Sequence, residues 1–205
     1  MTDTPVPRAL ADKLAGRRQA TAWRSGGKIR SMKPRKMPTF RVLFICMGNI
    51  CRSPTAHGVF AQYLRERAPE LDIEVGSAGT HDYHVGSPPD PRSIAAAARR
   101  GFDISPLRAR LVEDADFERY DLIVAMDRLN RAVLLERSPA VYRDRVRLLM
   151  EFAGVPPESG EHLDVPDPYY GGAVGFERVL DVVEQAAEGL LIEIRARMRA
   201  RRDLP

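Results

Sequence analysis

Cysteine is scarce in this chain, with two in 205 residues, too few for a disulfide framework. The pair also lacks the further cysteines or suitably spaced histidines that a zinc site needs. No apolar run approaches the roughly 20 residues that cross a bilayer, and no apolar block follows the N-terminus as in a secretory signal. A cytoplasmic protein with no membrane span is therefore expected. Hydrophobic residues at 44% and charged residues at 29% are ordinary for a folded domain, which argues against wholesale disorder. The length suits one α/β domain with a tail.

The net charge of +4 is unevenly spread. Residues 1–38 hold ten Lys or Arg against two Asp, an excess larger than that of the whole chain, so residues 39–205 are net acidic. The first 38 residues have little hydrophobic periodicity and contain a "SGG" break and a "KPRK" cluster. They read as a basic, unfolded N-terminal extension to a domain over 39–205. Such a tail is suited to an acidic partner or nucleic acid.

From Phe40 the pattern changes. "FRVLFIC" reads as a strand buried on both faces. "SPTAHGVFAQYLRERA" reads as a helix, with Ser53 as its N-cap and Pro54 in its first turn. "LDIEVGSAG" is a second strand, "RSIAAAARRGF" a helix stopped at Gly101, "YDLIVAMD" a third strand, "RLNRAVLLERS" a helix and "RVRLLMEFA" a fourth strand. A long final helix from about Val174 to Arg202 sets Phe176, Val179, Leu180, Val183, Leu190, Leu191 and Ile194 on one face. Alternation of strands and helices predicts a parallel sheet with helices on both faces and a ligand site at the strands' carboxyl ends.

Both cysteines sit where that site is expected, in "CMGNICRSP", the loop after the first strand. Gly48 and Asn49 tolerate positive φ, so the loop can curl its N–H groups inward. With a helix N-terminus beneath it, such a loop holds an anion, and Arg52 can offer a phosphate two parallel hydrogen bonds. Cys46 at the rim lies in the same positive field, which favours a nucleophilic thiolate. Ser53 can donate to that sulfur as well as cap the helix. A thiolate that attacks phosphorus needs an acid for the departing oxygen, and none lies in the loop. Asp167 in "DVPDPYYGG" is a candidate, between two prolines and beside two aromatic rings.

These residues resemble the low-molecular-weight protein tyrosine phosphatases. "CMGNICRSP" is similar to their phosphate loop, C-x-G-N-x-C-R-S-P, and "DPYYGG" to their acid-bearing loop; "SAGT", "HVGSPPD" and "DLIVAMD" extend the resemblance over about residues 40–200. It implies a flavodoxin-like, doubly wound four-stranded parallel sheet and hydrolysis of phosphotyrosine in proteins through a cysteinyl phosphate, with no metal or cofactor. Carried onto this sequence, it implies Cys46 as nucleophile, Arg52 as phosphate clamp and Asp167 as general acid and then base. Met47, Gly48, Asn49, Ile50, Cys51 and Ser53 would form the phosphate loop, with Asn49 in a strained conformation and Ser53 stabilising the thiolate. Tyr83, Tyr169 and Tyr170 would be the aromatic edges of the cleft. Cys51 would trap an oxidised Cys46 as a disulfide, protecting it from further oxidation.

Two positions depart from the family pattern. Leu107 stands where many members have a histidine that supports the loop asparagine, and His57 stands where a glutamate is usual. His57 is read as a solvated helix residue. Three other functions share parts of the pattern. Arsenate reductases that relay electrons through thiols need further cysteines, which this chain lacks. Phosphoarginine phosphatases have a threonine where Ile50 stands, and the apolar Ile50 agrees better with an aromatic substrate. A phosphopeptide-binding module without catalysis would not need the full set of Cys, Arg, Ser and Asp. His81 and His84, around Tyr83, are read as cleft-rim or surface residues.

Overall fold

The structure, a computed structural model, describes residues 39–154 and 163–202. The expected basic extension lies outside the described residues. Four strands, β1 (Phe40–Cys46), β2 (Ile73–Gly79), β3 (Leu122–Ala125) and β4 (Val146–Leu148), form one parallel sheet in the order β2-β1-β3-β4. Between and after them run α1 (Arg52–Arg67), α2 (Pro91–Arg99), α3 (Asp114–Arg119), α4 (Arg128–Arg137) and α5 (Ala173–Arg202). This is the parallel α/β sheet that the alternating pattern predicts, in the flavodoxin-like arrangement that the resemblance implies.

The apolar run of β1 has the expected cause. Phe40, Val42, Phe44 and Cys46 point into one core layer, with α1 and α5, while Leu43 and Ile45 point into the other, with Phe117 of α3 and Leu134 of α4. A strand buried on both faces cannot alternate apolar with polar. Phe44 meets Phe60 of α1 edge to face, with ring centroids 5.8 Å apart. Burial of each such ring contributes about 1.5–3 kcal/mol. The seven apolar positions read on the last helix all face the first of these layers. α2 ends before Gly101, whose φ of +82° closes the helix at little steric cost.

Two local expectations differ, and one short helix, α3, was not expected. α1 begins at Arg52 with Cys51 as its N-cap, so Ser53 lies inside the first turn and is free for another role. The fourth strand is only Val146–Leu148, and Leu149–Phe152 turns into a 3₁₀ segment. There the Glu151 carboxylate accepts the Leu148 N–H at 3.0 Å, and Leu149, Met150 and Phe152 pack into the core layer of α5. The short α3 has too few residues to show a period. It is nucleated by Asp116, which accepts the Glu113 N–H at 2.9 Å.

β1 leads to a helix on one face of the sheet and β3 to a helix on the other, and these strands are neighbours. The crevice between their diverging loops opens at their carboxyl ends, where open α/β sheets bind ligands. Cys46 ends β1, and Asp127 lies two residues beyond β3.

Candidate active site

The loop from Cys46 to Cys51 is pinned on three sides. Thr80 N–H donates to the Cys46 carbonyl at 2.9 Å and His81 N–H to the Met47 carbonyl at 3.0 Å, extending the pairing of β1 with β2. Asp90 N–H donates to the Ile50 carbonyl at 2.8 Å. At Gly79 the loop runs so close that an added Cβ would stand 2.6 Å from the Met47 carbonyl oxygen. Asn49 takes φ of +55°, the single positive value among the described non-glycine residues, as the resemblance implies. Beneath the loop, the N-cap of α1 makes no side-chain cap hydrogen bond.

The Cys46 sulfur lies 3.3 Å from the Asn49 backbone nitrogen, which donates to it, and 3.0 Å from Ser53 Oγ. Ser53 Oγ in turn accepts from Asn49 Nδ2 at 2.8 Å, leaving its proton to point at the sulfur or at the Ala78 carbonyl 3.3 Å away. Asn49 Oδ1 accepts the Arg110 N–H at 3.0 Å. The concern raised by Leu107 is thus answered by backbone: Arg110, not a histidine side chain, holds the amide. The resulting chain from Arg110 through Asn49 and Ser53 to Cys46 aligns its dipoles toward the sulfur, and each bond polarises the next. Sequence reasoning missed Arg110 because a backbone donor leaves no mark on residue type.

Arg52 is buried at 3% exposure. Its Nη1 donates to Asp127 Oδ2 and its Nη2 to Asp167 Oδ2, both at 2.6 Å. Burial alone would lower its proton affinity, but the fields of Cys46, Asp167 and Asp127 outweigh burial and raise it above the ordinary value. Asp127 also caps α4, accepting the Asn130 N–H at 2.6 Å through Oδ1. Asp127 was not singled out from sequence. Its signal was available: it closes "YDLIVAMD", just past a buried strand of an open sheet.

Asp167 arrives on the loop from Val165 to Gly172, anchored where Val165 N–H donates to the Met126 carbonyl at 2.8 Å. A cleft of about 220 Å³ is lined by Cys46, Met47, Gly48, Ile50, Cys51 and Arg52 on one side and by Tyr83, His84, Asp167, Tyr169 and Tyr170 on the other. Asn49 and Ser53 lie beneath the loop and do not line it. Tyr83 stacks on His81 with ring centroids 5.3 Å apart, and Tyr169 meets Tyr170 edge to face. His84 is a wall residue, tilted against Tyr169 and lying over Gly48, where an added Cβ would approach it to 2.9 Å. Among the described residues, no three His, Cys, Asp or Glu side chains are grouped to hold a metal ion.

Two other predicted residues differ in state. Burial pushes the Cys51 thiol up to about 12. His57 is half-buried rather than solvated. Its Nδ1 is buried with no hydrogen-bond partner, and burial lowers its proton affinity to a pKa of about 4. The cause is its place in a groove between α1 and β2, among Ala61, Leu64, Ile73 and Val75, with Arg65 as the charged neighbour.

The family model described as low molecular weight phosphotyrosine protein phosphatase matches residues 41–200. A low molecular weight protein-tyrosine-phosphatase of Streptomyces coelicolor is 42% identical over 168 residues, covering 80% of this chain and 98% of that protein. The low molecular weight protein-tyrosine phosphatase A of Mycobacterium tuberculosis is 45% identical over 150 residues, covering 73% and 88%. Among solved structures, a protein tyrosine phosphatase from Entamoeba histolytica superposes with a TM-score of 0.71 at 36% identity, covering 77% of this chain and 97% of that one. The sheet order, the phosphate loop and these likenesses agree, and the chain belongs to the low molecular weight phosphotyrosine protein phosphatases, a family of hydrolases.

Proposed function

We propose that this enzyme hydrolyses phosphotyrosine in proteins by a two-step transfer through Cys46. The observation that carries the reading is the cleft itself. One cavity is lined by a sulfur that receives hydrogen bonds, a buried guanidinium, a carboxyl group and three tyrosine rings. The loop N–H groups and Arg52 take the equatorial phosphoryl oxygens. These oxygens compete with Asp167 for one edge of the guanidinium and release its carboxyl toward the leaving oxygen. Cys46 attacks in line: the S–P bond forms, the P–O bond to the tyrosine breaks, and Asp167 gives its proton to the departing phenolate. Asp167 then takes a proton from water, whose oxygen bonds to phosphorus as the S–P bond breaks, yielding phosphate and the Cys46 thiolate. Stabilisation of spread negative charge by fixed donors supplies most of the acceleration in such transfers.

Ile50, Tyr83, Tyr169 and Tyr170 give the cleft walls that suit a planar aromatic leaving group. Cys51 serves as a resolving thiol: peroxide converts the Cys46 thiolate to a sulfenic acid, and Cys51 condenses with it to a disulfide with loss of water. The substrate reading is tested by comparing phosphotyrosine, phosphoserine and phosphoarginine peptides with wild type and Ile50→Thr. Phosphotyrosine turnover should dominate in wild type, and Ile50→Thr should narrow the margin over phosphoarginine. A wild-type preference for phosphoarginine would overturn the assignment.

A further inference from the structure

Asp167 lies on a loop with few ties to the sheet, yet proton delivery needs its carboxyl held to a fraction of an ångström. A connection to the phosphate loop runs through the start of α2. Asp90, the N-cap, gives its N–H to the Ile50 carbonyl of the phosphate loop at 2.8 Å. Its carboxylate accepts Arg92 twice, from Nε at 3.0 Å and Nη2 at 2.8 Å, in a two-pronged fork. The remaining arm, Arg92 Nη1, donates to the Tyr169 carbonyl at 3.1 Å. Tyr169 N–H closes the series by donating to Asp167 Oδ1 at 3.0 Å. The same guanidinium carbon stands 5.6 Å from the Tyr169 ring centroid and 4.7 Å from that of Phe176 in α5. Arg92 is not among the residues that line the cleft, and its hydrogen bonds run to Asp90 on one side and to the acid-bearing loop on the other.

We propose that Arg92, clamped by Asp90, is a positioning residue that sets the acid-bearing loop at a fixed distance from the phosphate loop and so aims Asp167 at the leaving oxygen. The inference rests on Asp167 being the general acid. The planar fork matters, because one guanidinium satisfies Asp90 and still reaches the Tyr169 carbonyl, whereas an ammonium cannot hold both in the same plane.

The test measures kcat/KM, which reports the step that expels the leaving group, for 4-nitrophenyl phosphate and phenyl phosphate. Phenolate is the poorer leaving group and depends more on the acid. In Arg92→Ala, kcat/KM for phenyl phosphate should fall about tenfold and that for 4-nitrophenyl phosphate much less. Arg92→Lys should recover only part of the loss. In an Asp167→Asn background, Arg92→Ala should add little, since the group it aims is already gone. An equal loss with both substrates, or a loss that multiplies with Asp167→Asn, would overturn the proposal. If Asp167→Asn itself shows no leaving-group dependence, the general-acid reading fails instead. Asp90→Asn, which weakens the fork while keeping a capping side chain, should give the same pattern if Arg92→Ala folds poorly.

Discussion

The two segments that face each other across the cleft are held in opposite ways. In the phosphate loop and the first turn of α1, Cys46, Asn49, Arg52 and Ser53 are all between 0% and 3% exposed; Asn49, Arg52 and Ser53 reach Arg110, Asp127 and Ala78 elsewhere in the fold, and Asn49 and Ser53 in turn hold the Cys46 sulfur. In the acid-bearing loop Tyr169 is 39% and Tyr170 96% exposed. That loop is tied down by Val165, by the ion pair of Asp167 with Arg52, and by the arm of Arg92. The contrast agrees with the tasks proposed for the two segments. Donors that stabilise charge on sulfur and phosphorus must not reorganise during the reaction, so they are preset in a buried network. In the proposed mechanism the acid has to let substrate in and product out, and exchange its partner from Arg52 to the leaving oxygen, which suits an exposed loop with few fixed partners.

The sharpest way to probe this contrast is to remove the reacting group from each side. Cys46→Ser should abolish turnover of an aryl phosphate while phosphate binding survives, because the loop donors remain. Asp167→Asn should lower kcat/KM by about 10²–10³, the usual worth of a positioned acid. Turnover by Cys46→Ser near the wild-type rate would remove sulfur from the mechanism. A comparable loss in both variants would erase the distinction between the buried and the exposed side.

Oxidation is expected to separate the two thiols within the buried side. After brief peroxide treatment and then a thiol reductant, wild type should regain most of its activity, and Cys51→Ser should regain only a small share. Its Cys46 would proceed to irreversible acids. Equal recovery would limit Cys51 to filling the space beneath the loop.

The smallest effect on activity is expected from His57, which lies about a turn along α1 from Arg52 and whose contribution is to stability. With its pKa lowered from 6.5 to about 4, the native state holds it neutral where the unfolded chain would protonate it. The unfolded state therefore binds the extra proton between these values. Stability is full above about pH 6.5 and declines as pH falls, by roughly 3 kcal/mol at pH 4 from this one group. Denaturant midpoints of His57→Gln should fall less steeply over that window than those of wild type. Parallel profiles would mean that the ring gains a proton in the folded state without cost.

Much of the site was legible because it is contiguous. Cys46, Arg52 and Ser53 fall within eight residues, and the buried run before them and the helix after them make their geometry a local matter. Ser53 was legible as a residue but not in its role, since the helix and its N-cap come two residues earlier than its side chain suggested. Asp127, Arg110 and the Asp90–Arg92 fork were not read as parts of the site. Each acts across 40 or more residues of sequence, and two of the contacts run through backbone groups, Arg110 N–H and the Tyr169 carbonyl, that any residue could supply.

The sequence by itself determined the alternation of buried strands and amphipathic helices, the parallel sheet and the curled loop that carries Cys46 and Arg52. All of these depend on spacing over a few residues, where side-chain periodicity and turn chemistry act directly. Only the tertiary structure decided which carboxylates meet Arg52, what supports Asn49, and how the acid is tied to the loop it serves. Those contacts depend on β1 and β3 lying side by side and on the loop after Val165 returning to their ends. That approach is set by the packing of both core layers, and no short stretch of residues encodes it.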